Sequence, residues 1–151
     1  MFALPIACGG FLLAVLWFDL MFDVQVRRHR HGDLPESVLS SIASYYRRVT
    51  TDAQPMTFAV ALVMAIGVVA VIGQLVTGGI PRWASAASLA LAAVPIVLAL
   101  RRVLPNAARL GSRVDPIDVQ SALARQIYAD HLFCLAAIAA FLAVQLTAVS
   151  S

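Results

Sequence analysis

Apolar residues fall into four long runs, separated by stretches where charge, proline and glycine gather. The first run covers residues 2–23. A polar stretch follows, with Arg27, Arg28, His29, Arg30, His31 and Asp33. Asp33 ahead of Leu34 and Pro35 predicts a capped helix start. Over residues 34–51, Val38, Leu39, Ile42, Tyr45, Tyr46 and Val49 recur at helical spacing. That spacing predicts an amphipathic helix, at the interface or against the bundle. Pro55 opens the second run, residues 55–76, in which Gly67 and Gly73 predict close backbone approach. Residues 77–81 read as a tight turn. The third run, residues 83–100, carries a small-residue stripe of Ala84, Ser88 and Ala92, and Pro95 predicts a kink. Arg101 and Arg102 end it, and Leu104, Pro105 and Asn106 predict a break in the helix. Asp115 and Pro116 restart the pattern by the same cap-then-proline logic, and nothing interrupts it through residue 149. Its first turns are polar, whereas residues 128–149 are apolar. The fourth helix therefore begins outside the membrane and then enters it.

Composition turns these runs into membrane spans. Of 151 residues, 61% are hydrophobic and only 13% charged, against about 25% charged in soluble domains. At roughly 20 residues per span, the chain makes one transmembrane domain over residues 1–151. The expected fold is all-α: an integral membrane four-helix bundle with an interfacial helix before the second span and a cytoplasmic extension of the fourth. The basic residues follow the first run instead of preceding it, so that run reads as a retained span and not a cleaved signal. Cys8 and Cys134 fall near opposite membrane faces, and no disulfide between them is expected.

Charge sets the orientation. All basic residues other than histidine are arginines: five lie between the first two runs, five after the third, and only Arg82 between the second and third. Ten against one is a strong positive-inside bias. It places both long loops in the cytoplasm and both termini outside, in a membrane of the bacterial inner type. Topology accounts for the arginines, so the net charge of +3 does not point to nucleic acid.

The same topology gathers the polar residues of all four helices at one leaflet. Asp19 and Asp23 share a face at the end of the first span. A charge in the bilayer costs a few kcal/mol or more and usually faces a partner or a cavity. Tyr45, Tyr46, Arg47 and Arg48 precede the second span. Arg101, Arg102 and Asn106 end the third, and Gln126, Tyr128, Asp130 and His131 lead into the fourth. The opposite half is nearly featureless apart from Gln74 and Gln145. Two readings of the carboxylates stand side by side. In one, Asp19 with Arg47 and Asp130 with Arg102 are ion pairs that fix helix register. Asp23, close to the interface, is then solvated. In the other, Asp19, the deeper carboxylate, and His131 are general bases beside a bound ligand. Tyr45 to Arg48 likewise read as an interfacial anchor or as donors to a headgroup or an enol oxygen. A non-haem iron triad needs a second histidine, and only His29 and His31, in a polar run suited to acidic headgroups, are left to supply it. No residue is assigned to a metal, and no cofactor is named by the sequence.

Several elements resemble the anthrone-oxygenase-like family of small four-span membrane proteins. They are the polar end of the first span (Trp17 to Asp23), the loop with Leu104, Pro105 and Asn106, and the helix leading into the last span (Ala124 to His131). Asn106 matches the asparagine members carry in that loop, and Tyr128 stands where they carry a tryptophan. Some fungal members oxidise a polycyclic anthrone to an anthraquinone. The resemblance implies a lipophilic, phenolic or quinone-like ligand approached from the bilayer, and oxygenase-type oxidation. On this reading Asp19 and His131 are catalytic. Asp23, Tyr46, Arg47, Arg102, Asn106, Tyr128 and Asp130 bind the ligand, with Arg47 or Arg102 stabilising an enolate. The alternative is a non-catalytic accessory subunit of a larger membrane complex, or a homo-oligomer, joined through the small-residue stripe. A proton or ion pathway ranks last, because the opposite leaflet is nearly bare of polar groups.

Overall fold

An unbroken apolar sequence carries the first helix, α1 (Ala3–Asp23), which tightens into a 3₁₀ turn over Val24–Arg28. The computed structural model describes residues 3–150, so the expected start of the first span at Phe2 lies outside the described residues. After Gly32, which takes a left-handed φ of 70°, the chain enters α2 (Glu36–Arg47). Asp33 does not cap this helix. Pro35 holds the cap position, and no side chain bonds there. The loop is fixed instead by buried Leu34, whose backbone N–H donates to Ser121 Oγ at 2.8 Å. A wide π turn, Arg48–Asp52, leads to α3 (Gln54–Thr77), which closes on Gly78 in the left-handed conformation. α4 (Arg82–Leu98), a second π turn (Ala99–Val103) and α5 (Leu104–Ser112) follow. The last and longest helix is α6 (Ile117–Ser150).

The break expected at Leu104, Pro105 and Asn106 does not occur. Residues Arg82–Ser112 form one continuous helical run. Pro105 falls in the first turn of α5, where an α-helical N–H partner is not needed. The disturbance lies just upstream, at the π turn Ala99–Val103, which contains Arg101, four residues before Pro105. A proline removes one N–H and crowds the carbonyl four residues back, and a widened turn relieves both.

Among the described residues, four helices are long and apolar enough to cross a membrane, and the protein is an integral membrane protein. Around the bundle the neighbours are α1 with α6, α6 with α4, α4 with α3 and α3 with α1. Outward faces carry large apolar side chains, among them Phe58, Val69 and Val76. α6 has 34 residues, whereas a span needs roughly 20. Its first turns therefore project beyond the bundle, where α2 and α5 pack against them and against each other.

The two halves of the molecule pack differently, for a physical reason. Leu34, Leu39, Ile42, Leu110 and Ile127, the largest fully buried side chains, all lie in the projecting cap. Water drives apolar burial there. Lipid supplies no such force, so spanning helices rely on small residues and buried polar bonds. The stripe of Ala84, Ser88 and Ala92 accordingly is buried within the bundle, on the helix that packs against α6. A Cβ on Gly67 would meet Cys8 Cβ at 3.3 Å, the close approach expected there. In the cap, a Cβ on Gly111 would lie 2.8 Å from the backbone nitrogen of Arg47, so α5 seats the end of α2 backbone to backbone. That contact sets the height of Tyr45 and Tyr46.

Candidate functional site

Asp19 and Asp23 are one helical turn apart on α1, and the last turn of α2 crosses beside them. Tyr45 Oη donates to Asp19 Oδ1 at 2.7 Å, and Tyr46 Oη donates to Asp23 Oδ1 at 2.6 Å. Adjacent residues on a helix point about 100° apart. The two phenols therefore diverge, and the i, i+4 pair of carboxylates meets both. α6 supplies the third component. His131 Nδ1 lies 2.7 Å from Asp23 Oδ2. A carboxylate only accepts, so Nδ1–H is the donor. Tyr46 Oη is 3.4 Å from the same nitrogen. On the other side of the ring, His131 Nε2 faces Asp19 Oδ2 across 3.8 Å. The imidazole thus lies between two carboxylates, bonded to Asp23 alone, and each carboxylate is bonded by its own tyrosine.

Burial is graded across this cluster. Asp23 is fully buried and His131 is 5% exposed, whereas the Asp19 side chain is 14% exposed. Tyr45 is partly buried, and its ring stacks on Phe22 with centroids 4.1 Å apart. Burial first, and then the charge of the adjacent carboxylate, pushes both phenols far above the ordinary tyrosine range. They stay protonated and remain donors. Their contribution to stability is present below the unfolded phenol pKa of about 10 and is lost as pH rises above it, where the unfolded chain ionises first. Melting temperature should therefore fall more steeply between pH 9 and pH 11 (on the order of one unit either side of that value) in the wild type than in Tyr45→Phe/Tyr46→Phe. Parallel curves would refute this.

The structure corrects several expectations. Asp23 is not solvated; it is fully buried within the protein. The reason is the cap: α2 lies over the end of α1, and Tyr46 closes the space above Asp23. Asp19 does not pair with Arg47. That guanidinium points outward, 3.9 Å from Asp52, with its side chain 67% exposed. The other expected pair forms. Arg102 Nε donates to Asp130 Oδ2 at 2.8 Å, and its Nη2 engages Oδ1. The π turn places Arg102 to meet α6, while Val103 enters the cap core.

Of the expected site residues, Asp19, Asp23, Tyr46 and His131 come together. Arg102 and Asp130 form a separate pair. Asn106 is half-buried on α5 and makes no side-chain hydrogen bond to the cluster, and Tyr128 lines a different groove. Neither Arg47 nor Arg102 is placed to meet an enolate at Asp19. Tyr45 is the site residue missing from the expected set, and the signal for it was a tyrosine pair beside two carboxylates at helical spacing. Among the described residues, no group of three or more His, Cys, Asp or Glu side chains is arranged to hold a metal ion. Cys8 and Cys134 are buried free thiols. At the opposite end of the bundle, Gln74 and Gln145 exchange amide hydrogen bonds of 3.1 Å in both directions, and Gln145 also donates to Ser88 Oγ at 2.9 Å. Buried amides that satisfy each other in this way lock α3, α4 and α6.

No family model, curated protein or solved structure matches the chain.

Proposed function

We propose that the protein binds a hydrophobic phenolic or quinone-like molecule that reaches Asp19 from the bilayer, and that Asp19 takes the ligand's acidic proton. The observation that carries this reading is the uneven burial of the cluster. Asp23 and His131 are sealed, whereas Asp19 retains access beside Tyr45 and Phe22, on a helix whose Trp17, Phe18 and Met21 are exposed to lipid. A flat aromatic ligand suits that wall. Asp19 is the base. The Tyr45 phenol, already a donor at this position, turns to the oxygen on which charge develops, the role first expected of an arginine. His131, held at Nδ1 by Asp23, stands behind Asp19 to receive the proton through Nε2. The resemblance to anthrone-oxygenase-like proteins extends the proposal to oxidation. Conversion of an activated CH₂ to a carbonyl consumes one dioxygen and releases one water, with the deprotonated carbon as the electron donor. The arginine asymmetry supports a bacterial inner membrane, with the cluster toward the cytoplasm and both termini outside.

The test uses an anthrone as probe, with binding and anthraquinone formation followed by absorbance in mild detergent. Asp19→Asn and His131→Ala are expected to lower turnover by about 10²-fold or more, while Asp19→Asn keeps the wild-type elution profile. Native mass spectrometry of the gently solubilised protein runs alongside. Full activity in both variants would sink the proposal. A chain recovered only with other polypeptides, and inert toward the probe, would support the accessory-subunit reading in its place.

A further inference from the structure

Outside the carboxylate cluster, the cap carries an open groove of about 300 Å³ lined by Val26, Arg27, Arg30, Arg125 and Tyr128. Its lining holds three guanidiniums and no carboxylate. Four other arginines of the cap are matched to acids. Arg47 meets Asp52, Arg102 meets Asp130, Arg109 meets Asp115 and Arg113 meets Glu36. Among the described residues, Arg27, Arg30 and Arg125 have no acidic partner.

Arg125 is nevertheless held in place. Its Nη2 donates to the backbone carbonyls of His29 at 3.0 Å and Gly32 at 2.5 Å, so the loop after α1 folds around it. Carbonyls orient a guanidinium without neutralising it. The Nε–H of Arg125 is buried and has no hydrogen-bond partner, a donor whose burial is otherwise costly. The groove lies where α1 has just ended and where the apolar part of α6 begins, at Tyr128. That is the level at which headgroups sit against a spanning protein. Two guanidiniums from the loop side and one from α6 match the oxygens of a phosphate, and the Tyr128 phenol adds a donor.

We propose that this groove binds a phosphate group, presented either by an anionic lipid headgroup or by a free phosphate. The site is independent of the ligand proposed at Asp19. The experiment measures thermal stabilisation of delipidated full-length protein in neutral detergent, at constant ionic strength. Phosphatidylglycerol, phosphatidylcholine of the same chains and inorganic phosphate are titrated separately. Selective stabilisation by phosphatidylglycerol, weakened about tenfold or more in Arg27→Gln/Arg30→Gln, supports the site with lipid as its source. Stabilisation by inorganic phosphate that competes with the lipid, and is weakened in the same variant, supports the site with free phosphate as its source. Equal response to both lipids with none to phosphate overturns the proposal, as does selectivity that the variant retains. Should the variant fail to insert, the wild-type titration decides alone, because it must show preference for phosphatidylglycerol or a response to phosphate.

Discussion

Asp23→Ala is expected to lower the unfolding free energy by about 3–5 kcal/mol, the usual cost of leaving the partners of a buried ionic group unpaired. Asp19→Asn, one turn away on the same helix, should cost no more than about 1 kcal/mol. The difference follows from what each carboxylate closes. Asp23 accepts one hydrogen bond from α2 and another from α6, through Tyr46 at 2.6 Å and His131 at 2.7 Å. Its removal leaves a phenol 3% exposed and an imidazole 5% exposed with unsatisfied protons. Three elements lose their common tie. Asp19 has access to its surroundings, and an asparagine there still accepts from Tyr45. Asp23→Asn should fall between the two. Its carbonyl oxygen can serve Tyr46, but its amide hydrogens would face the Nδ1–H of His131, and the imidazole must change tautomer to accept. Chemical unfolding in detergent, followed by circular dichroism, measures all three variants. If Asp23→Ala proved as stable as Asp19→Asn, Asp23 would not hold the cluster together.

The same contrast marks how far the sequence could be read. The spans were legible because each is a long apolar run, and apolar length is what a bilayer selects. Convergence of the polar residues at one end was legible too, because it needs only the direction of each helix. Which residues meet was not. The depth of Asp23 depends on α2 folding back over α1, a tertiary event set by the close approach of Gly111 to Arg47. No local pattern encodes it. The small-residue stripe of α4 was visible, but its use inside the bundle instead of against another chain depends on which face meets α6. Pro105 misled because proline both ends helices and starts them. Here the helix continued, and the turn just before Pro105 widened to accommodate it.

That π turn underlies the second large expected effect. Arg102→Ala leaves Asp130, whose side chain is only 4% exposed, without the guanidinium that covers both its oxygens. A fall in melting temperature is expected, smaller than that of Asp23→Ala because the Arg102 side chain is 47% exposed and the pair is partly screened by solvent. The double variant Arg102→Leu/Asp130→Leu should regain most of it, since it removes the buried carboxylate together with its partner, whereas the single variant leaves that carboxylate unpaired. The two residues touch, so their effects are coupled and not additive. The comparison also separates the two polar groups of α6. Asp130 and His131 are neighbours in sequence, yet one faces Arg102 of the π turn and the other faces α1. If the pair serves only to hold the helices, the double variant folds and keeps whatever activity resides at Asp19 and His131. If it folds with wild-type stability but has lost that activity, Arg102 and Asp130 belong to the site, and the boundary drawn here between a structural pair and a functional cluster is wrong.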